Sequence, residues 1–184
     1  MIWKIRGNTV SFDRTILMGV LNLTPDSFSD GGQNADPKTA FARASQMIED
    51  GADILDLGAE STRPGAAPVT AKEELNRLLP VLELLVKEHR VPISIDTVKP
   101  EVAKKCLKAG ADIINDVSGL KRSGAEMAKV VKKFGAGLVL MHSRGTPETM
   151  QTLTAYSNLV GDVIGELQES VHIALKAGVE HAQI

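Results

Sequence analysis

Apolar and polar positions along this chain form blocks that predict strands and helices in regular succession. Short apolar runs predict strands, and longer segments with apolar residues three or four positions apart predict helices. The predicted strands cover 15–22, 52–58, 92–97, 112–117 and 137–142, with a sixth beginning at 182–184. The predicted helices cover 37–50, 71–89, 99–109, 123–134 and 157–177. Gly51 and Gly110 each follow a predicted helix and open the same tetrapeptide, Gly-Ala-Asp-Ile, which indicates a βα repeat.

Strands that alternate with helices must pair in parallel, which predicts an α/β fold. The strands are nearly continuous apolar runs, as expected when both faces of a sheet are covered. Two architectures fit this pattern, an open doubly wound sheet and a (β/α)₈ TIM barrel. Residues 2–12 alternate in polarity around Gly7-Asn8, which predicts an N-terminal β-hairpin covering one end of the fold. No linker divides the chain, so 1–184 is predicted to be a single domain.

Composition and charge exclude several classes of protein. The formal net charge of -2 gives no basic surface for nucleic acid. Cys106 is the one cysteine, which excludes an internal disulfide and a cysteine-rich metal site. No segment resembles a signal peptide, and no apolar run has the length of a membrane span. The sequence therefore predicts a cytoplasmic protein with neither a membrane nor a nucleic-acid partner.

Every predicted strand ends on polar residues. They are Asn22; Asp56 and Glu60; Asp96 and Thr97; Asn115 and Asp116; and His142, Ser143 and Arg144. A single buried aspartate on a strand is commonly a structural hydrogen-bond partner. A barrel, however, brings all its strand ends to one rim, where they would form a common site. This repeated pattern favours the barrel.

Several motifs carry a resemblance to a known family. They are Asn-Leu-Thr-Pro-Asp-Ser-Phe-Ser-Asp-Gly-Gly at 22–32, Gly-Ala-Glu-Ser-Thr-Arg-Pro-Gly-Ala at 58–66, Ile-Asp-Thr at 95–97, Ile-Asn-Asp at 114–116 and Leu-Met-His at 140–142. In these motifs the chain resembles bacterial dihydropteroate synthases along its whole length. The resemblance implies a (β/α)₈ barrel that joins 6-hydroxymethyl-7,8-dihydropterin pyrophosphate to p-aminobenzoate. The products would be 7,8-dihydropteroate and pyrophosphate, in folate biosynthesis.

The resemblance assigns Asp96 and Asn115 to the pterin. A pterin edge presents N–H donors and a carbonyl, which a carboxylate and an amide can complement. Ionised Asp96 would also be catalytic, by stabilising positive charge on the pterin methylene as pyrophosphate leaves. Val117 and Met141 would wall the ring, with ordinary barrel core as the alternative role for both.

The remaining assignments concern the leaving group and the second substrate. Asn22 matches the family position beside Mg²⁺, which accepts few protein oxygens and keeps several waters. Thr62 and Arg63 match a loop that approaches the substrates, and Arg63 is predicted to be catalytic. Phe28 and Pro64 match residues that wall the p-aminobenzoate site, where sulfonamides would compete.

The family pattern continues beyond the position of Ile184. There it carries a further pterin-binding Asp, a Lys beside the pterin, and the Arg and His that hold phosphate. Roughly a third of the eight-unit barrel is absent from this sequence, which stops after about five βα units. We expect a longer enzyme, a homodimer when full length, and no activity from these 184 residues alone.

Two alternative functions stay open from the sequence. The first is a methyltetrahydrofolate-binding relative that passes a methyl group to a corrinoid, although the motifs at 24–29 and 61–64 are not expected in it. The second is a non-catalytic pterin-binding fragment.

Overall fold

Two sheets are present in this computed structural model of the protein, which describes residues 2–24, 36–61 and 68–184. The first is the predicted antiparallel hairpin, formed by β1 (Ile2–Ile5) and β2 (Asn8–Ser11). The second is a sheet of five parallel strands. These are β3 (Met18–Asn22), β4 (Ile54–Gly58), β5 (Ile93–Asp96), β6 (Ile113–Asp116) and β7 (Gly137–Leu140).

Helices follow the parallel strands as predicted, with ends moved by one or two residues. They are α1 (Pro37–Glu49), α2 (Ala71–Glu88), α3 (Pro100–Ala109), α4 (Gly124–Phe134) and α5 (Leu159–Lys176). Asp36 caps α1 by accepting from two backbone amides, and Thr70 and Asn158 cap α2 and α5 by accepting from one amide each. A 3₁₀ turn, Met150–Thr152, precedes α5.

The strand order distinguishes the two predicted architectures. Strands β3 to β7 lie side by side in the order of the chain. A doubly wound sheet reverses its order at a switch point, whereas a (β/α)₈ barrel adds each strand beside the last. Successive helices also pack against one another, from α1 on α2 to α4 on α5, so they cover the same face. The α/β barrel prediction is confirmed for the units that the chain contains.

The face under the helices is a continuous aliphatic row. Leu21, Leu57, Ile95, Ile114 and Leu138 are neighbours in the strand register, and each is at most 1% exposed. They meet the apolar stripe of α2 and the corresponding faces of the other helices. Full burial of such a side chain contributes about 1.5–3 kcal/mol, so this layer supplies much of the driving force for folding.

The hairpin packs across the end of the sheet where the strands begin. Trp3 and Ile5 form a small second core with Ile54 and Ile113. Gly137 permits this contact, because a Cβ there would lie only 2.6 Å from Ile5 Cγ2. The Trp3 indole donates to the Gln183 carbonyl at 2.8 Å. The prediction that the hairpin covers one end of the fold is confirmed.

The prediction that a sixth strand begins at 182–184 is wrong, because His181–Gln183 forms a 3₁₀ turn. Glu180 and Gln183 form a reciprocal capping box, which closes the turn locally. The Gln183 side chain is buried and donates to the Ala136 carbonyl at 2.7 Å. These contacts hold the turn against the end of the sheet. The backbone of the turn is hydrogen-bonded through them and does not pair with a strand.

The β3 edge of the parallel sheet predicts self-association of the 184-residue chain. Met18 and Val20 are 39% and 53% exposed on β3, which pairs with β4 alone among the described strands. An apolar edge strand is a template for pairing with another copy. Size-exclusion chromatography with light scattering should show oligomers that Val20→Lys reduces. The control Leu84→Lys, at an exposed position of α2, should leave the distribution unchanged.

Candidate functional site

One row of inward-facing positions forms the floor of the candidate site. The register aligns Asn22, Gly58, Asp96 and Asn115 across four neighbouring strands. A Cβ at Gly58 would lie 3.4 Å from Asn22 Oδ1 and 3.6 Å from Asp96 Oδ2. The glycine thus leaves the space between the amide and the carboxylate open. The prediction that Asn22, Asp96 and Asn115 share one rim is confirmed.

A second row, two residues earlier on each strand, supports the first. Asp56 is buried there, and its Oδ2 accepts a hydrogen bond from Asn115 Nδ2 at 3.1 Å. The contact fixes the Asn115 amide, with the nitrogen toward Asp56 and the oxygen free to accept from a ligand. Asp56 Oδ1 and Ser94 Oγ are buried without a hydrogen-bond partner in the described part of the chain. The sequence singled out Asp56 as a strand-end residue but did not predict this contact.

Asp96 lies in an environment that opposes its ionisation. Burial raises its pKa, and the nearby carboxylates of Asp56, Glu74, Asp116 and Glu60 raise it further, to about 7. The carboxyl is therefore poised between its neutral and ionised forms at neutral pH. A ligand that offers N–H donors to both oxygens would favour the ionised form.

A cavity of about 410 Å³ opens beside this floor, between the loops that follow β6 and β7. Val117 and Met141 both line it, and Met141 is 46% exposed. Both residues are thus available to a ligand in this cavity, and their role as walls of a pterin site stays a prediction. Buried Asp116 fixes the turn at Val117 by accepting from the Ser118 amide at 2.8 Å and from the Ser118 and Ser123 hydroxyls.

Glu166 on α5 anchors the loop that follows β7, a role that sequence reasoning missed. Its carboxylate accepts from Arg144 Nε at 2.7 Å and from Lys121 Nζ at 2.7 Å, and lies 3.1 Å from His142 Nε2. The Arg144 guanidinium stacks on the Tyr156 ring, 3.8 Å from its centroid. The hydrogen bonds from Arg144 and, next, Lys121 lower the Glu166 pKa to about 2. No motif marks Glu166, since its partners come from other parts of the chain.

This anchor predicts a protease-sensitive variant. Glu166→Gln removes the charge that holds Arg144 and Lys121, so trypsin should cut after Arg144 severalfold faster, as read by mass spectrometry. Glu169→Gln, an exposed position on the same helix, is the control and should cut at the wild-type rate. Equal rates for the two variants would show that the loop does not depend on Glu166.

Four predicted site residues, Phe28, Thr62, Arg63 and Pro64, lie outside the described residues. Their assigned roles stay predictions. The residues on either side of 62–67 are described, and there the Val69 amide donates to Glu60 Oε1 at 3.2 Å.

The described part of the chain offers no cluster of three or more His, Cys, Asp or Glu side chains suited to a metal ion. Asn22 nevertheless has an amide oxygen facing the open floor of the site. One such oxygen suits a magnesium ion that takes its other ligands from water and phosphate. None of the helices in residues 2–24, 36–61 and 68–184 is long and apolar enough to cross a membrane.

Comparison with protein families matches residues 18–184 to the family described as pterin binding enzyme. A dihydropteroate synthase of Bacillus subtilis is 48% identical over 172 residues, which are 94% of this chain and 58% of that protein. The synthase of a Synechocystis species is 47% identical over 171 residues, covering 93% of this chain and 59% of that protein. The chain thus spans somewhat under two thirds of the length of these relatives.

Solved structures show the same similarity. The Yersinia pestis dihydropteroate synthase, in a sulfonamide drug complex, matches with a TM-score of 0.89 and 39% identity, covering 98% of this chain and 65% of that one. The Xanthomonas albilineans synthase with 4-aminobenzoic acid matches with a TM-score of 0.88 and 38% identity, over 100% and 65%. The Burkholderia cenocepacia synthase complexed with 7,8-dihydropteroate gives 0.84 and 37%, over 100% and 61%.

Proposed function

Because this chain belongs to the family of pterin-binding enzymes, we propose that it is the greater part of a dihydropteroate synthase. The enzyme would condense 6-hydroxymethyl-7,8-dihydropterin pyrophosphate with p-aminobenzoate and release pyrophosphate, in folate biosynthesis. The row of Asn22, Asp96 and Asn115 around Gly58 carries this proposal. It places two hydrogen-bond acceptors for a pterin, Asp96 and Asn115, at the same rim as an oxygen ligand for a metal ion, Asn22.

The pterin would bind to Asp96 and Asn115. Both carboxylate oxygens of Asp96 can accept from the ring N–H and the exocyclic amino group. Asn115 presents its amide oxygen because its nitrogen is held by Asp56. The apolar faces of Val117 and Met141 line the neighbouring cavity, where the ring would stack. Each residue thus contributes one feature that a planar, donor-rich heterocycle requires.

In the proposed reaction the pterin methylene C–O bond breaks first, and its electron pair leaves with pyrophosphate. Ionised Asp96 stabilises the positive charge that develops on the pterin. The amine of p-aminobenzoate then forms the C–N bond and loses a proton to solvent. Thr62 and Arg63 are proposed to contact the departing pyrophosphate, with Phe28 and Pro64 beside the aromatic amine. No covalent enzyme intermediate is required.

Asn22 would provide the protein ligand to Mg²⁺, with water and pyrophosphate oxygens as the others. The ion would neutralise negative charge on the leaving group. Sulfonamides are proposed to compete with p-aminobenzoate, as the Yersinia pestis complex with a sulfonamide drug suggests. The homodimeric state of the full-length protein and its cytoplasmic location stay predictions. The corrinoid methyltransferase alternative gains no support from the synthases described above.

A coupled assay of pyrophosphate release tests this function in a full-length protein containing the chain. Turnover should require both substrates, and the 184 residues alone should give none. Asp96→Asn keeps the side-chain size but removes the charge, so pterin affinity and turnover should fall together by about 5- to 150-fold, or about 1–3 kcal/mol. Asp13→Asn, an exposed position, should retain wild-type values. Unchanged pterin affinity of Asp96→Asn by calorimetry would contradict the assignment.

The raised pKa of Asp96 predicts a pH dependence with a definite sign. Pterin donors bind the ionised carboxylate, so affinity should rise as pH increases through about 7 and then level off. Without ligand, folded Asp96 keeps its proton to a higher pH than the unfolded chain does. Its contribution to stability is therefore present below pH 3.8 and lost as pH rises toward about 7. Asp96→Asn should abolish the rise in affinity measured by calorimetry and remove this one contribution from the stability measured in urea titrations.

A further inference from the structure

A cluster of three charged side chains lies next to the candidate site and takes no part in the proposed chemistry. Lys99 Nζ donates to Glu60 Oε2 and, at 2.6 Å, to Glu74 Oε2. The three residues come from different elements: Glu60 follows β4, Glu74 lies in the first turn of α2, and Lys99 precedes α3. Lys99 thereby ties two neighbouring βα connections to one helix.

Burying the charges of this cluster is unfavourable for the free energy of folding. The Glu74 side chain has no exposed surface, and its Oε1 has no hydrogen-bond partner within the described ranges. Burial lowers the Lys99 pKa, but the hydrogen bonds to Glu60 and Glu74 outweigh it and raise the pKa overall. Lys99 therefore stays charged. Apolar residues usually hold a helix against its neighbours at least as well as a buried ion pair does. Stability alone thus does not account for three charges here.

Glu60 connects the cluster to the wall of the site. Its second oxygen, Oε1, accepts from the Val69 amide at 3.2 Å and so joins the two ends of the connection after β4. The preceding carbonyl, that of Ala59, accepts from Arg77 Nη1 at 2.8 Å. Glu60 and Ser61 line a narrow space together with Asp96, Thr97 and Val117. A displacement of Glu60 would therefore change the surface that faces Asp96.

We propose that Lys99 is a positioning residue that acts through Glu60 to hold residues 60 and 61 against the reaction site beside Asp96. Lys99 need not touch a substrate in this role. Glu74 supplies the fixed, buried end of the contact, and Glu60 supplies the end that reaches the site. This inference rests on the proposed synthase function.

The test uses the full-length protein and separates positioning from stability. Lys99→Met should lower kcat about tenfold or more, because a small displacement near reacting groups is costly. The Kd of 6-hydroxymethylpterin, measured by calorimetry at a pH well above the Asp96 pKa of about 7, should change less than about twofold, since Asp96 and Asn115 are intact. Lys99→Arg, which keeps the charge and both hydrogen bonds, should recover most of kcat. Lys104→Met makes the same change at an exposed position of α3 and should match the wild type.

The double variant Lys99→Met/Glu74→Gln is decisive. Neutralising Glu74 removes the uncompensated buried charge, so the melting temperature should return toward the wild-type value. Glu60 would still lack its partner, so kcat should stay low. Recovery of kcat together with stability would show that Lys99 is structural only and would overturn the inference. If the wild type turns over and Lys99→Met has the same kcat, the inference is overturned but the synthase function is not. No wild-type turnover would overturn both.

Discussion

The register of the parallel strands is the constraint on which the rest of this structure depends. It places five aliphatic residues, Leu21 to Leu138, in one buried row under the helices. The same register places Asn22, Gly58, Asp96 and Asn115 in the next row, on the opposite face. Since side chains alternate along a strand, core and site are two consequences of one alignment. A slip of one residue in any strand would bury a polar site residue among helices and expose an aliphatic one.

Several carboxylates lie close together at the site, and the repulsion between their negative charges is unfavourable. Burial raises the Asp96 pKa, and the nearby carboxylates of Asp56, Glu74, Asp116 and Glu60 raise it further. Several of these carboxylates have separate structural partners: Asp56 orients Asn115, Asp116 shapes the turn at Val117, and Glu74 and Glu60 share Lys99. The excess of acceptors is unfavourable without a ligand and favourable once donors arrive. Such a surface suits a heterocycle rich in N–H groups better than it suits an anion.

The sequence predicted much of this architecture because its signals are local. Apolar periodicity located the helices and parallel strands, and topology then required Asn22, Asp96 and Asn115 to meet. The contacts that it missed join distant residues: 59 positions separate Asn115 from Asp56, and 39 separate Lys99 from Glu60. No periodicity encodes such pairs. A sixth strand was predicted to begin at 182–184, but residues 181–183 form a turn in which Gln183 finds its partners at Ala136 and Trp3. The local pattern therefore predicts where the strands end, but not the long-range contacts that hold the side chains at those ends.

The contact between Trp3 and Gln183 has a consequence for the order of folding. It joins residues 180 positions apart, so the hairpin cannot dock fully until α5 and the final turn are in place. Contacts of such long sequence separation close large loops and form late, after the local βα units have gained their own packing. Trp3 is also the one tryptophan of the chain. Its fluorescence therefore reports the docking of the hairpin onto Ile54 and Ile113, which is the closing step of folding.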